Sequence, residues 1–272
     1  MQLFETWTGA DFLAFYAVML ITCVGLSIWL AVNLRPPGRS ARITDPEEIA
    51  ILAGGAQRHA LAVLAELYAI DAISPARGGK VFASRTQVET SASGGAVLRK
   101  VGAFSLAEAM RTLSDRSSAI ARDLRRRGAL MTGGEINRLR LICTTPFLAL
   151  LALGLYRQQA GSALGEPTGF LIALLAVTLV AIVVRIATLG PRTLAGEEVL
   201  GKHRARAARL QSAPTADEVP YAVGLFGSAV LVGTPFEPIH AMRQASAGGS
   251  GSDGGDGGGD GGCGGGCGGC GG

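Results

Sequence analysis

The run "FLAFYAVMLITCVGLSIWLAVNL", Phe12 to Leu34, passes twenty-three residues without one charge. As a helix it is about 34 Å long, enough for a hydrocarbon layer roughly 30 Å thick. Two further uncharged runs follow, "LICTTPFLALLALGLY" (Leu141 to Tyr156) and "GFLIALLAVTLVAIVV" (Gly169 to Val184). The mean hydropathy of +0.34 is high, and the apolar residues are bunched rather than spread as one soluble core needs.

A cleaved signal sequence is the alternative reading of the first run. The leader "MQLFETWTGAD" argues against it, because it carries Glu5 and Asp11 and no cation. A retained helix is expected. The second run is short, but Thr132 and Glu135 before it have capping-box spacing, so its helix should begin near Gly133. Arg138 and Arg140 would then reach up to the headgroups, and Pro146 would kink the span. Arg185 near the end of the third run is expected to snorkel in the same way. The twelve residues "RQQAGSALGEPT" between runs two and three make a helical hairpin loop.

Arginine placement orients the spans. Arg35, Arg39 and Arg42 follow the first, Arg138 and Arg140 precede the second, and Arg185, Arg192 and Lys202 flank the third. The leader has no cation and the hairpin loop has only Arg157. The expectation is a multi-pass protein of the bacterial inner (cytoplasmic) membrane, N-terminus outside and C-terminus cytoplasmic. The bacterial assignment rests on association: arginine greatly exceeds lysine, as in GC-rich coding.

Residues 35–140 carry seventeen Lys/Arg against ten Asp/Glu. "DPEEIAILAGG" opens a helix with Asp45 at N-cap, Pro46 at N1 and Glu48 at N3, and Gly54-Gly55 break it. Leu61, Leu64, Leu67 and Tyr68 then share a helical face. "SPARGG" is a turn and "KVFASRTQVET" a short strand pair or wing. Ser105 and Glu108 form a second capping box, and "LRRRG" ends a helix whose C′ cap is Gly128. This order suggests winged-helix units, 43–92 and 93–132. A basic winged helix raises nucleic-acid binding. Nucleic acid is nevertheless not expected as a partner, because topology and anionic lipid already explain the arginines and no helix face gathers base-reading side chains.

"GEEVLGKH", Gly196 to His203, has Walker-A spacing, but His203 stands where the metal-binding Ser or Thr belongs, so a basic helix is expected. His59, His203 and His240 are isolated in the sequence. "YAVGLFGSAVLVGTP", Tyr221 to Pro235, is short for a crossing and is expected to lie at the interface or pack against the rest. Cys23 and Cys143 sit in apolar runs, while Cys263, Cys267 and Cys270 occupy the glycine-rich tail with C-x₃-C-x₂-C spacing. These three thiols are the candidate metal ligands, for a soft ion. Against that, a polyglycine segment loses much entropy in closing round an ion. No other cofactor and no catalytic residue is expected.

"DPEEIAILAGGAQRHALAVLAEL", "LRRRGALMT", "LGPRTLAGEEVL", "VGLFGSAVLVGTP" and "CGGGCGGCGG", in that order, resemble a family of uncharacterised bacterial membrane proteins. Its layout is one N-terminal span, a cytoplasmic helical domain, a close pair of spans and a Gly/Cys-rich low-complexity end. The resemblance implies a layout and no site. The expected fold class is mainly α: a helical integral membrane protein with three transmembrane helices and a winged-helix-like cytoplasmic insert. Its parts are an external N-terminus (1–11), span one (12–34), the insert (35–138), span two (139–156), an external loop (157–168), span three (169–189), a basic juxtamembrane helix with an apolar packing segment (190–245) and a low-complexity tail expected to be disordered (246–272). The expected role is scaffolding or interaction without catalysis, with the lipid bilayer and an unidentified protein as partners. The alternatives are metal or redox handling by the tail and a membrane-tethered DNA-binding regulator.

Overall fold

The computed structural model describes residues 9–39, 42–163, 169–212 and 214–248. The chain is mainly helical and divides into two compact units.

The first unit holds α1 (Gly9–Asn33), α6 (Gly133–Ala163) and α7 (Gly169–Thr188). All three are long and apolar enough to cross a membrane, with mean hydropathies of 2.2, 1.7 and 2.8. Their outward positions are apolar and exposed, Ile21 and Val180 among them. α6 starts at Gly133 because Thr132 and Glu135 cap it reciprocally: Thr132 N–H donates to Glu135 Oε2 at 2.8 Å and Glu135 N–H to Thr132 Oγ1 at 3.3 Å. Pro146 lies inside α6, which runs through it unbroken. The Thr144 and Thr145 hydroxyls donate to the carbonyls of Arg140 and Leu141 just before it.

Between the helices an apolar cluster that includes Phe12, Phe147 and Leu175 is joined by a few close polar contacts. The Tyr16 hydroxyl lies 3.0 Å from Thr178 Oγ1, and the Cys23 thiol 3.5 Å from the Pro146 carbonyl. A Cβ on Gly154 would stand 2.7 Å from Leu175 and 2.8 Å from the Tyr16 ring, so only glycine allows this approach. Gly154→Leu is expected to lower the thermal unfolding midpoint in detergent by several degrees, from an overpacking cost of about 2 kcal/mol. Gly25→Leu, where a Cβ meets nothing within 4 Å, should leave the midpoint unchanged.

The second unit joins Pro37–Met131 to the segment from Arg192 onward. Its centre is α2 (Pro46–Ala69). Asp45 caps it, accepting the Glu47 N–H at 3.0 Å, and Gly54 and Gly55 leave helical geometry in its middle. In the second half, residues 60–65 are buried without interruption, so the helix is covered on every side. One side is covered by α3 (Ala92–Leu98), α4 (Leu106–Thr112) and α5 (Ser114–Arg126). The other is covered from beyond α6 and α7, by α8 (Leu194–Arg206), α9 (Val219–Phe226) and α10 (Glu237–Gly248). Val219, Val223 and Ile239 are fully buried in one apolar cluster with Leu64 and Leu67. The Tyr221–Pro235 stretch is thus a packing segment of this core, built from α9 and a 3-10 turn at Ser228–Leu231.

Arg192 ties the halves further. Its guanidinium donates to the carbonyls of Leu52, at 2.7 Å, and Ala53, where the first half of α2 ends and its dipole is negative. Gly196 on α8 permits a similarly close approach, since a Cβ there would sit 2.2 Å from the Ala129 carbonyl oxygen.

The strand pair is displaced from its expected place. β1 (Ile73–Ala76) lies within the segment expected to be a turn and pairs antiparallel with β2 (Lys80–Ala83). Pro75 is accommodated in β1 because Val81, opposite it, turns its N–H and C=O to Phe104 instead. No second hairpin occurs among the described residues of 93–132, where Leu130 makes a single bridge to Arg192. A winged-helix insert is not shown: one broken helix precedes the hairpin, three helices follow it, and the unit is completed from residues 192–248.

Candidate functional site

The candidate metal ligands Cys263, Cys267 and Cys270 lie outside the described residues. Among the described residues no three His, Cys, Asp or Glu side chains group to hold a metal. The Walker-like stretch Gly196–His203 is helix α8, capped by Thr193, whose hydroxyl accepts the Gly196 N–H at 3.1 Å. Its amides serve the helix and form no phosphate-cradling loop.

The histidines are isolated only along the chain. His203 places Nδ1 2.8 Å from the Tyr221 hydroxyl and Nε2 2.9 Å from the Ile43 carbonyl, stitching α8 to α9 and to the start of the unit. His240 lies 3.2 Å from Ser228 Oγ. His59, with no exposed surface, has Nδ1 2.8 Å from Ser117 Oγ, and Nε2 3.4 Å from Ser93 Oγ and 3.5 Å from Glu47 Oε2. Arg116 donates to the same Glu47 oxygen at 3.2 Å. Serine, imidazole and carboxylate thus stand in the order of a nucleophile relay. Ser117 and Ser93 are buried, so no hydroxyl here faces a substrate. The cluster joins both halves of α2 to α3 and α5. Burial pushes the Glu47 carboxyl pKa up, but hydrogen bonds from His59 and Ser93 and the charges of His59 and Arg116 outweigh it and hold it at about 2.

Arg185 turns across to α1 rather than standing alone at the helix end. Its Nε donates to Ser27 Oγ at 2.7 Å and an Nη to the Ser27 carbonyl at 2.8 Å, across from α7 to α1, and the Cys143 thiol lies near enough to feel its charge.

A groove of about 420 Å³ lies between β2 and the loop after α3. Val81 exchanges both backbone hydrogen bonds with Phe104, at 3.0 and 2.8 Å, and pairing then stops because Gly102, at φ +84°, turns the chain away. By strand alternation the N–H and C=O of Ala83 point to this same edge. Phe82 is 40% exposed and Val101 fully so. Around them residues 72–104 carry Arg77, Lys80, Arg85, Arg99 and Lys100 against Glu89 alone. The strand pair was legible as a possible wing. The groove was not, because it exists only where Phe104 returns to β2.

Fold and composition together define a class: a helical protein with three helices of membrane-spanning length and a second unit assembled from both sides of the last two. No family model, curated protein or solved structure proves similar to this chain.

Proposed function

We propose that this protein is a non-catalytic interaction module anchored in a bacterial inner membrane, and that its groove docks an acidic, extended segment of a partner protein. The observation that carries the docking is the fully exposed Val101 beside Phe82 at an open sheet edge in basic surroundings. A bound strand would pair with Ala83, set an apolar side chain against Phe82 and Val101, and bring its carboxylates to Lys80 and Arg99. The cytoplasmic location draws support from chain connectivity. Residues 37–131 and 192–248 share a core, so they belong on one face of a bilayer, and an even number of crossings separates them. That face carries the arginines, which is the cytoplasmic bias.

In-cell photo-crosslinking of the full chain tests the docking. A photoreactive residue at Val101 should give a discrete protein adduct that Lys80→Glu with Arg99→Glu abolishes. A probe at Arg122, exposed on α5, should give none. Adducts only with lipid, or equal adducts from both positions, would refute docking. A fluorescent-protein reporter at the C-terminus should fold and fluoresce, whereas an active secreted-phosphatase fusion there would refute the orientation.

A further inference from the structure

We infer that the end of the helix bundle where α1 and α7 finish and α6 begins binds the phosphate of an anionic lipid, with Arg140 and Arg185 as its ligands. The contacts set the directions. Tyr16 meets Thr178 and Ser27 meets Arg185, so α1 and α7 run parallel. Cys23 meets Pro146 and Tyr16 meets Gly154, so α6 runs antiparallel to both. This end therefore gathers Arg35, Arg138, Arg140 and Arg185. Its one described carboxylate, Glu135, is engaged with the backbone and hydroxyl of Thr132.

Among the described residues neither inner guanidinium has a carboxylate within ion-pair distance. Arg185 is directed at Ser27 and Cys143, neither of which carries a countercharge. The Nε of Arg140 is buried with no hydrogen-bond partner among the described residues. Arg140 and Cys143, three apart on α6, share a face, and α6 packs along α7 with Cys143 near enough to Arg185 to feel its charge. Arg140 thus stands about 4.5 Å, just under one turn, nearer the bundle end on the same side. The N-terminus of α6 adds its positive dipole where Arg138 and Arg140 already are, a concentration of like charge that an anion there would relieve. A phosphate matches it, because two guanidinium forks hold such an oxyanion through paired charge-assisted hydrogen bonds. The residues next to the arginines select a lipid over free phosphate: Leu141 is 68% exposed and Ile186 39%, apolar surface on which acyl chains rest. The inference needs the three helices to lie in a bilayer and does not depend on the docking groove.

The test uses the full chain in mild detergent. Its thermal unfolding midpoint is followed on adding phosphatidylglycerol, phosphatidylcholine or inorganic phosphate, and native mass spectrometry counts retained lipid. Phosphatidylglycerol should raise the midpoint by several degrees and stay bound, one molecule per chain. Arg140→Gln should weaken that response at least tenfold, with Arg140→Lys intermediate. Arg125→Gln, on exposed α5 in the other unit, should leave it unchanged. Arg140→Gln keeps the test valid even if Arg185→Gln fails to fold. Equal shifts from both lipids, or an undiminished response in Arg140→Gln, would overturn the site. A shift from inorganic phosphate equal to that from phosphatidylglycerol would overturn the lipid assignment.

Discussion

A chain ended after Pro191 is expected to keep its three apolar helices and lose the folded state of residues 37–131. The truncation removes Val219, Val223, Leu225, Leu231, Ile239 and Met242, all buried in the second unit. Each large apolar side chain contributes about 2 kcal/mol by leaving water. Losing six, about 12 kcal/mol, is comparable to the roughly 5–15 kcal/mol that holds a domain together. Arg192 goes as well, which uncaps the carbonyls of Leu52 and Ala53. Limited trypsin digestion of membranes should cut the truncated chain throughout 77–127, while α1, α6 and α7 still resist alkaline extraction. The full chain should be cut much more slowly over 77–127, because cleavage at its exposed arginines also needs the local chain to unfold into the protease, and supplying 192–272 as a separate polypeptide should restore part of the protection. If 37–131 stays protected in the truncated chain, the shared core is wrong. For the same reason a fragment such as 43–138 is a poor vehicle for any binding assay.

Glu47→Gln should flatten the acid limb of stability. The folded carboxyl titrates at about 2 against 4.5 unperturbed. A depressed carboxylate pKa stabilises the fold fully above the unfolded value, and that contribution is lost as pH falls from about 4.5 to about 2. The shift corresponds to about 3 kcal/mol at neutral pH, applicable because the side chain is only 11% exposed. Acid titration followed by circular dichroism should show the full chain losing second-unit structure across that window. Glu47→Gln should start less stable and lack the dependence. His59→Phe should also destabilise at neutral pH, because it orphans Ser117 and leaves Glu47 with one fewer donor. An acid limb identical in Glu47→Gln and the parent would mean that other carboxylates govern it.

Several features could be read from the sequence because their physics is local. The caps at Asp45, Ser105 and Thr132 and the break at Gly54-Gly55 depend on atoms within about four residues. The three long apolar helices depend on composition over one segment. The hairpin was misplaced by a few residues because Pro75 reads as a breaker, and only the partner strand shows that its missing N–H faces an unpaired side. Ser117 and Ser93 carried no signal, being serines in polar stretches until the fold set them on His59.

By itself, then, the chain's order of residues determined its helical class, its three long apolar helices and most helix ends. The tertiary structure alone decided that α9 closes over α2, that Glu47, His59 and Ser117 meet, and that Arg185 turns inward to Ser27. The reason is range. A cap or a span is set by neighbours along the backbone, whereas apolar side chains some 150 residues apart are interchangeable on paper and acquire partners only through packing geometry.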